Sequence, residues 1–156
     1  LEYFDRIIRY ANLRLLHMSR GQYELKRRQL PGQGTIGEVG LDLDVIDHYN
    51  GSVREVATLS GGESFLASLS LALGMSDLVQ ASAASAVRLD TMFVDKGFGS
   101  LSGSFLELAM NELIDTAENG HRLIGIISHV EEVKGRIPRR IEVTKGRTGG
   151  SAAQIR

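Results

Sequence analysis

Two apolar strands separated by one helix constrain the fold more than any other feature of this sequence. The segments Leu89–Asp95 and Arg122–Ser128 read as buried strands. Between them, Ser104 and Glu107 have the spacing of a capping box and predict a helix over Phe105–Asn119, which the following glycine would end. A strand, a crossover helix and a second strand form a parallel pair. The sequence therefore predicts an α/β fold with a parallel core sheet flanked by helices.

A second helix is predicted to begin at a pair of adjacent glycines. The stretch Ser60-Gly61-Gly62-Glu63 precedes the apolar run Phe65–Val79, and Ser60 and Glu63 have the spacing of a capping box. The glycines leave the first N–H groups of this helix uncovered at the positive end of its dipole, where an anion such as phosphate binds readily. A well-capped core helix without a ligand is the alternative interpretation.

The segment before this turn predicts one helix and a small antiparallel β portion. The helix has apolar residues at the a/d spacing of a seam, which are Phe4, Ile8, Ala11, Leu15 and Met18. It is interpreted either as the end of a coiled-coil arm or as a helix packed on a core, because the pattern covers too few heptads to decide. Alternation then predicts strands joined by a mobile glycine-rich loop and a hairpin turn. In order these segments are Gln22–Arg28, the loop Leu30–Gly40, Leu41–Asp47, the turn Tyr49-Asn50-Gly51, and Ser52–Val56.

The remaining elements complete a single lobe. They are a helix over Glu63–Gln80, a short helix over Val130–Lys134, and two terminal strands, Arg139–Lys145 and Ala152–Arg156, joined by a glycine-rich turn at 146–150. We expect the lobe to comprise the end of an arm helix (1–20), antiparallel strands and a loop (22–57), and the core (58–156).

Length and composition indicate one globular domain. The chain has 156 residues, of which 42% are hydrophobic and 24% are charged. It contains no Cys, which excludes disulfides and thiolate metal ligands and favours a reducing cytoplasm. No apolar run approaches the roughly 20 residues that span a bilayer, so we expect no membrane partner. Because the chain opens at Leu1 within a helical pattern, we expect it to be part of a larger protein.

The net charge of −1 conceals two basic ends. Residues 1–28 carry seven Lys or Arg against three acidic residues, and residues 134–156 carry seven against one. Basic ends on an acidic middle are typical of a nucleic-acid face if the ends meet in space. Solvated surface is the alternative, and the absence of aromatic residues between the charges favours it.

Two polar residues follow the predicted core strands, at the edge where open α/β sheets bind ligands. Asp95 ends the first strand, and a carboxylate there commonly holds Mg²⁺ beside a nucleotide. His129 follows the second strand, where it can contact a phosphate or orient a water. A capping Asp and a structural His are the alternatives when each residue is considered alone.

Taken together, these features resemble the motifs of ABC-type ATPases in order and spacing. Leu59–Glu63 resembles the signature motif, Asp95 stands at the Walker B aspartate, and His129 stands at the switch histidine. The finer similarity is to the SbcC family of DNA-repair ATPases. Phe93–Leu101 is similar to that family's Walker B and D-loop stretch, and Ile126–Glu132 is similar to its switch region.

The resemblance implies that the chain is the C-terminal lobe of an ABC-type P-loop NTPase head that uses ATP and Mg²⁺. It implies that Asp95 holds the metal and that His129 is catalytic. It also implies two groups that act across a dimer: Ser60, Gly61, Gly62 and Glu63, which would contact ATP held by a second protomer, and the D-loop residues Ser100, Leu101 and Ser102.

The resemblance further implies several partners. The phosphate-binding loop would come from an N-terminal Walker A half of the same protein, because Gly32-Gln33-Gly34-Thr35 is too short and lacks the lysine. A second protomer would complete an ATP-dependent homodimer. The family also works with an SbcD-like nuclease on DNA double-strand breaks, and we expect a cytoplasmic protein.

Two positions depart from the family pattern. Lys96 follows Asp95, where the family has the Glu that polarises the attacking water, and a protonated amine cannot accept a proton. Ser102 stands where the D-loop normally ends in Asp. We therefore expect a head that binds ATP but hydrolyses it weakly. The alternatives are an SMC-like chromosome-structuring head and an interaction module that binds no nucleotide.

Overall fold

The computed structural model of the protein describes residues 2–28, 42–82 and 89–156. The predicted loop over Leu30–Gly40, including Gly32–Thr35, and the predicted strand residue Leu41 lie outside these ranges. Within them, the helices are α1 (Glu2–Met18), α2 (Gly61–Ala81), α3 (Gly103–Asn119) and α4 (Glu131–Arg136). The strands are β1 (Tyr23–Arg27), β2 (Leu43–Asp47), β3 (Ser52–Glu55), β4 (Thr91–Asp95), β5 (Leu123–Ile127), β6 (Ile141–Lys145) and β7 (Ser151–Ile155).

The core lies where α1 packs against α2. The predicted seam faces it, with Ile8, Ala11, Leu15 and Met18 buried and Phe4 packed at its margin. The helices approach closely at Gly74, where a Cβ would lie 2.4 Å from the backbone nitrogen of Ala11. α2 is long and apolar enough to cross a membrane, contrary to the expectation from sequence, but in this fold it packs between α1 and α3 as a core helix.

A three-stranded antiparallel sheet follows α1, as predicted. Its strands lie in the order β1-β2-β3, and Tyr23 and Leu25 face the core. Asn12 ties the sheet to α1, because its side chain donates to the carbonyl of Leu25 (2.9 Å) and accepts from the N–H of the same residue (2.8 Å). The predicted hairpin turn joins β2 to β3, with Gly51 at a φ of 71°.

The predicted parallel pair is formed by β4 and β5, with Asp95 opposite Ile127. One face of this pair, through Met92, Val94, Ile124 and Ile126, packs against the core. The other face exposes three large apolar side chains, Phe93 (71%), Leu123 (69%) and Ile127 (53%). Parallel strands are ordinarily buried on both faces. This lobe therefore has an uncovered apolar sheet face.

The predicted capping box at the start of α3 is wrong. The helix begins at Gly103, so Ser104 and Glu107 are not at the N-cap and N3 positions. Ser102 is the N-cap residue, without a side-chain capping bond, and its hydroxyl lies 3.4 Å from that of Ser104. The helix ends at Gly120, as predicted, although Gly120 has a right-handed conformation and the positive φ (51°) falls on the next residue, His121.

The C-terminal hairpin of β6 and β7 carries a small ionic cluster. Lys134 of α4, Arg140 and Arg156 all lie within 3.5 Å of the Glu142 carboxylate. The hydrogen bond from Arg140 is the main reason that the pKa of Glu142 lies below its usual value. Three of the seven Lys and Arg side chains at this end thus share one carboxylate.

Candidate functional site

The turn at the start of α2 has the geometry predicted for it. Ser60 is the N-cap: its Oγ accepts from the N–H of Glu63 (3.3 Å), and the Glu63 carboxylate accepts from the N–H of Ser60 (2.8 Å). Ser60 and Gly61 are exposed. The N–H groups of Gly61 and Gly62 have no intrahelical acceptor because they lie in the first turn of a helix. The turn therefore has two amides without intrahelical acceptors at the positive end of the helix dipole, one on exposed Gly61 and one on buried Gly62.

The two glycines of this turn have different surroundings. A Cβ on Gly62 would lie 2.6 Å from the ring of Phe105 in α3, so only glycine fits there. A Cβ on Gly61 would meet only Ser100 Oγ, at 3.9 Å, which is ordinary contact distance. Gly62 is thus required for packing against α3. Gly61 lies beside the predicted D-loop and leaves its own backbone accessible.

The Glu63 carboxylate is held by two side chains that sequence reasoning missed. Tyr23 of β1 donates its hydroxyl to Oε1 (2.7 Å), and the Arg54 guanidinium of β3 donates to the same oxygen (3.0 Å). Burial opposes ionisation of Glu63, but hydrogen bonds from Ser60, Tyr23 and Arg54 outweigh it and lower its pKa. Burial and the hydrogen bond to Glu63 raise the pKa of Tyr23 to about 12.

A sharp turn follows Asp95 at the end of β4. Lys96 has a φ of 63° and Gly97 a φ of 92°, and the N–H of Lys96 donates to the carbonyl of Ile127 (2.9 Å). The left-handed region is uncommon for a residue with a side chain. A Cβ on Gly97 would lie 2.4 Å from the ring of Phe65, so the turn packs directly against α2.

The Asp95 side chain is exposed beside Lys96. Within residues 2–28, 42–82 and 89–156, neither side chain has a hydrogen bond or an ion pair, and no group of three His, Cys, Asp or Glu could hold a metal. Mg²⁺ takes one or two carboxylates and otherwise phosphate and water oxygens. Asp95 fits the role of a single protein ligand to Mg²⁺ carried by a nucleotide, and does not form a metal site alone.

The predicted D-loop lies between His129 and the turn Ser60–Glu63, which is called the signature turn below. Phe98–Ser100 form a short 3₁₀ helix, in which Phe98 is buried with its ring centroid 5.1 Å from that of Phe65. A Cβ on Gly99 would lie 3.5 Å from Cε1 of His129, which is itself exposed. Leu101 then leads into Ser102. The structure therefore places Gly61 beside Ser100 and Gly99 beside His129, in the segment that follows Asp95 and Lys96 at the end of β4.

Sequence comparisons give consistent matches. Residues 39–115 match the family described as "SbcC/RAD50-like, Walker B motif". The chain is 53% identical over 151 residues to the SbcC protein of the SbcCD nuclease from Vibrio cholerae, covering 97% of this chain and 15% of that protein. It is 45% identical over 154 residues to the SbcC protein of the same nuclease from Treponema pallidum, covering 99% of this chain and 14% of that protein. The chain thus spans about a seventh of the length of these relatives.

Comparison of structures gives the fold. A structure from work on the ATP-driven dimerization and DNA-stimulated activation of SMC ATPases matches 99% of this chain and 85% of that chain, with a TM-score of 0.72 and 15% identity. The Smc head domain of Pyrococcus furiosus, bound to the C-terminal domain of ScpA, matches 99% of this chain and 35% of that chain, with a TM-score of 0.68 and 18% identity. The predicted fold class, an α/β lobe of an ABC-type P-loop NTPase head, is confirmed.

Proposed function

This chain belongs to the SbcC/RAD50-like family and is the C-terminal part of an ABC-type ATPase head, and we propose that it closes an ATP site belonging to a second protomer. The observation that carries the proposal is the capped turn Ser60–Glu63, whose first two residues are exposed. Its free amides and the Ser60 hydroxyl suit the terminal phosphate of ATP bound to another head. ATP would then join two heads.

The other candidate residues fit the nucleotide that this lobe would share with its own N-terminal half. Mg²⁺ bound with the nucleotide neutralises phosphate charge, and Asp95 would supply a carboxylate ligand to it. His129, exposed beside Gly99, would hold a water or a phosphate oxygen of this nucleotide, whereas the signature turn would face the second protomer's ATP. Ser100, Leu101 and Ser102 would contact the second protomer next to that turn.

The wider role we propose follows the relatives. The proteins at 45–53% identity are named as parts of the SbcCD nuclease. We infer that ATP-dependent joining of two heads controls an SbcD-like nuclease acting on DNA double-strand breaks in the cytoplasm. DNA binding is supported by the basic ends of the chain, although many of those charges are paired within the lobe.

Weak hydrolysis is part of the proposal because Lys96 occupies the position of the general base. Its ammonium cannot accept a proton from water and would repel Mg²⁺ beside Asp95. The sharp turn at Lys96 and Gly97 keeps the side chain next to the strand end. ATP binding is therefore better supported by this lobe than ATP hydrolysis is.

The experiment that tests the proposal is ATP-dependent dimerisation of the complete head, in which this lobe is assembled with its Walker A half. Size-exclusion chromatography with light scattering, with and without ATP and Mg²⁺, should show a dimer only with ATP. Gly61→Glu should abolish the dimer because it places a negative charge at the phosphate. Gly135→Glu is the matched control, since a Cβ there meets nothing within 4 Å. A wild-type head that stays monomeric at saturating ATP would favour the interaction module.

A further inference from the structure

The Glu63 carboxylate has more hydrogen-bond donors than its capping role requires. A capping box needs only the backbone N–H of the N-cap residue. Here that bond, from Ser60 to Oε2 (2.8 Å), is supplemented by Tyr23 and Arg54 on Oε1, at 2.7 and 3.0 Å. These two residues lie 40 and 9 positions away in the sequence and on two strands of the antiparallel sheet. The carboxylate therefore joins the signature turn to that sheet.

The two side-chain donors are themselves held in place. Tyr23 is 8% exposed, and its N–H donates to the hydroxyl of Ser19 (3.0 Å), which donates to the carbonyl of Leu15 in α1 (2.6 Å). Arg54 is half-buried and also reaches the carbonyl of Thr58 (3.4 Å), two residues before the turn. Because these donors are held in place, they limit the movement of the Glu63 side chain. Oε1 is held by Tyr23 and Arg54, and Oε2 by the Ser60 N–H.

Ser60 and Gly61 are both exposed, so little packing holds them in place. The Ser60 hydroxyl contacts α2 through one long bond of 3.3 Å, whereas the Ser60 N–H is held firmly by Glu63 at 2.8 Å. The orientation of the phosphate-facing atoms is therefore set mainly through Glu63. We propose that Tyr23 and Arg54 are positioning residues that preorganise the signature turn for the phosphate of a second protomer's ATP. The inference rests on the proposed function.

The test uses Tyr23→Phe and Arg54→Gln in the complete head, because each removes one donor to Oε1 and keeps most of the side chain. Each variant should raise the ATP concentration for half-maximal dimerisation by about tenfold. The loss of one hydrogen bond to a charged group changes an equilibrium constant by about a factor of ten or more. Binding of ATP to the monomeric head should not change, because the signature turn acts only across the dimer. Amide exchange of the peptide Leu59–Phe65 should become faster.

Matched controls separate positioning from a general loss of stability. Tyr49→Phe changes the turn between β2 and β3 and removes a hydroxyl that donates to the Arg20 carbonyl (3.3 Å). Arg27→Gln removes a surface ion pair to Asp5 (3.2 Å). Both controls should dimerise like the wild type. In a Glu63→Ala background, Tyr23→Phe and Arg54→Gln should have no further effect on dimerisation, because their acceptor is gone.

The outcomes distinguish this inference from the proposed function. A wild-type head that does not dimerise with ATP overturns the proposed function and this inference together. A wild-type head that dimerises, with Tyr23→Phe and Arg54→Gln dimerising at the same ATP concentration, overturns this inference alone. Lower unfolding midpoints with unchanged dimerisation would also overturn it, because they would show a purely structural role. Weaker dimerisation with unchanged ATP binding to the monomer supports it.

Discussion

Two adjacent glycines in the signature turn have opposite structural requirements. Alanine at Gly62 would place its Cβ 2.6 Å from the Phe105 ring, whereas alanine at Gly61 meets only Ser100, at 3.9 Å. Overpacking typically costs about 1–3 kcal/mol. At an unstrained position, Gly→Ala instead stabilises by about 0.4–1 kcal/mol. We therefore expect Gly62→Ala to lower the urea midpoint of the complete head and Gly61→Ala to leave it equal or higher. Equal losses would contradict the packing argument.

Lys96 gives a prediction about catalysis at the same scale. Restoring a carboxylate with Lys96→Glu should raise the steady-state ATPase rate of the complete head by about 10²–10⁴, the usual contribution of a positioned base. Lys and Glu at position 96 would have the same backbone strain at a φ of 63°, so the fold should tolerate the change. Lys145→Glu, on the exposed strand β6, is the charge-matched control. Equal rates for the wild type and Lys96→Glu would show that Lys96 does not limit hydrolysis.

Ser102 shows how a departure from a family pattern can keep a structural role. The family resemblance leads us to expect Asp at this position, and in the structure Ser102 is the N-cap residue of α3. Ser and Asp are both favoured at N-caps. The serine in this position is therefore compatible with the start of α3, and its effect is expected on contacts with the second protomer rather than on folding.

At the scale of elements, a buried ionic network joins α1, α2 and α3. Glu112 is 3% exposed, and its carboxylate lies 2.8 Å from Arg14 and 2.7 Å from His17. Arg14 also forms a two-pronged pair with Asp77 of α2, at 2.8 and 3.0 Å. The hydrogen bond to Asp77 is the main reason that the pKa of Arg14 is raised. This network links α1, α2 and α3 through charged side chains.

Removing Arg14 should be costly, because it leaves the buried Glu112 carboxylate with only the exposed His17 as a partner, although Asp77 keeps its pair with Arg122. Arg14→Met is expected to reduce the free energy of unfolding by about 3–5 kcal/mol, as is usual for a broken buried pair. Arg27→Met is the control: its partner Asp5 is 41% exposed, so its loss should cost at most about 1 kcal/mol. Urea titration of the complete head measures both. Similar small losses would show that Arg14 is not needed to stabilise Glu112.

The distance along the chain between two contacting residues explains which contacts could be predicted from the sequence. The capping box at Ser60 and Glu63 was predictable because both partners are local, and it is present. The same pattern at Ser104 and Glu107 failed, because α3 begins earlier, at Gly103. The bonds from Tyr23 and Arg54 to Glu63 could not be predicted, since they depend on how a separate sheet docks on α2. A buried tyrosine hydroxyl that needs a partner was the available signal.

At the scale of the whole molecule, the uncovered apolar face of β4 and β5 determines how this lobe associates with other chains. Phe93 is 71% exposed and covers Gly125 of the neighbouring strand, where a Cβ would meet its ring at 2.5 Å. Leu123 and Ile127 extend the same apolar face along β5. Open apolar surface of this kind promotes association in water. We propose that the Walker A half covers this face in the complete head, so the lobe by itself should self-associate through it.

The prediction can be tested by sedimentation of the isolated lobe over a range of concentrations. Phe93→Lys should lower the weight-average mass at high concentration, because it introduces a charge at the centre of the apolar face. Leu13→Lys is the control: Leu13 is 69% exposed on α1, away from β4 and β5, and its replacement should leave self-association unchanged. Adding the Walker A half should suppress association of the wild-type lobe and should have less effect on Phe93→Lys. If Leu13→Lys were the variant that abolished association, the contact would lie on α1 and not on the sheet.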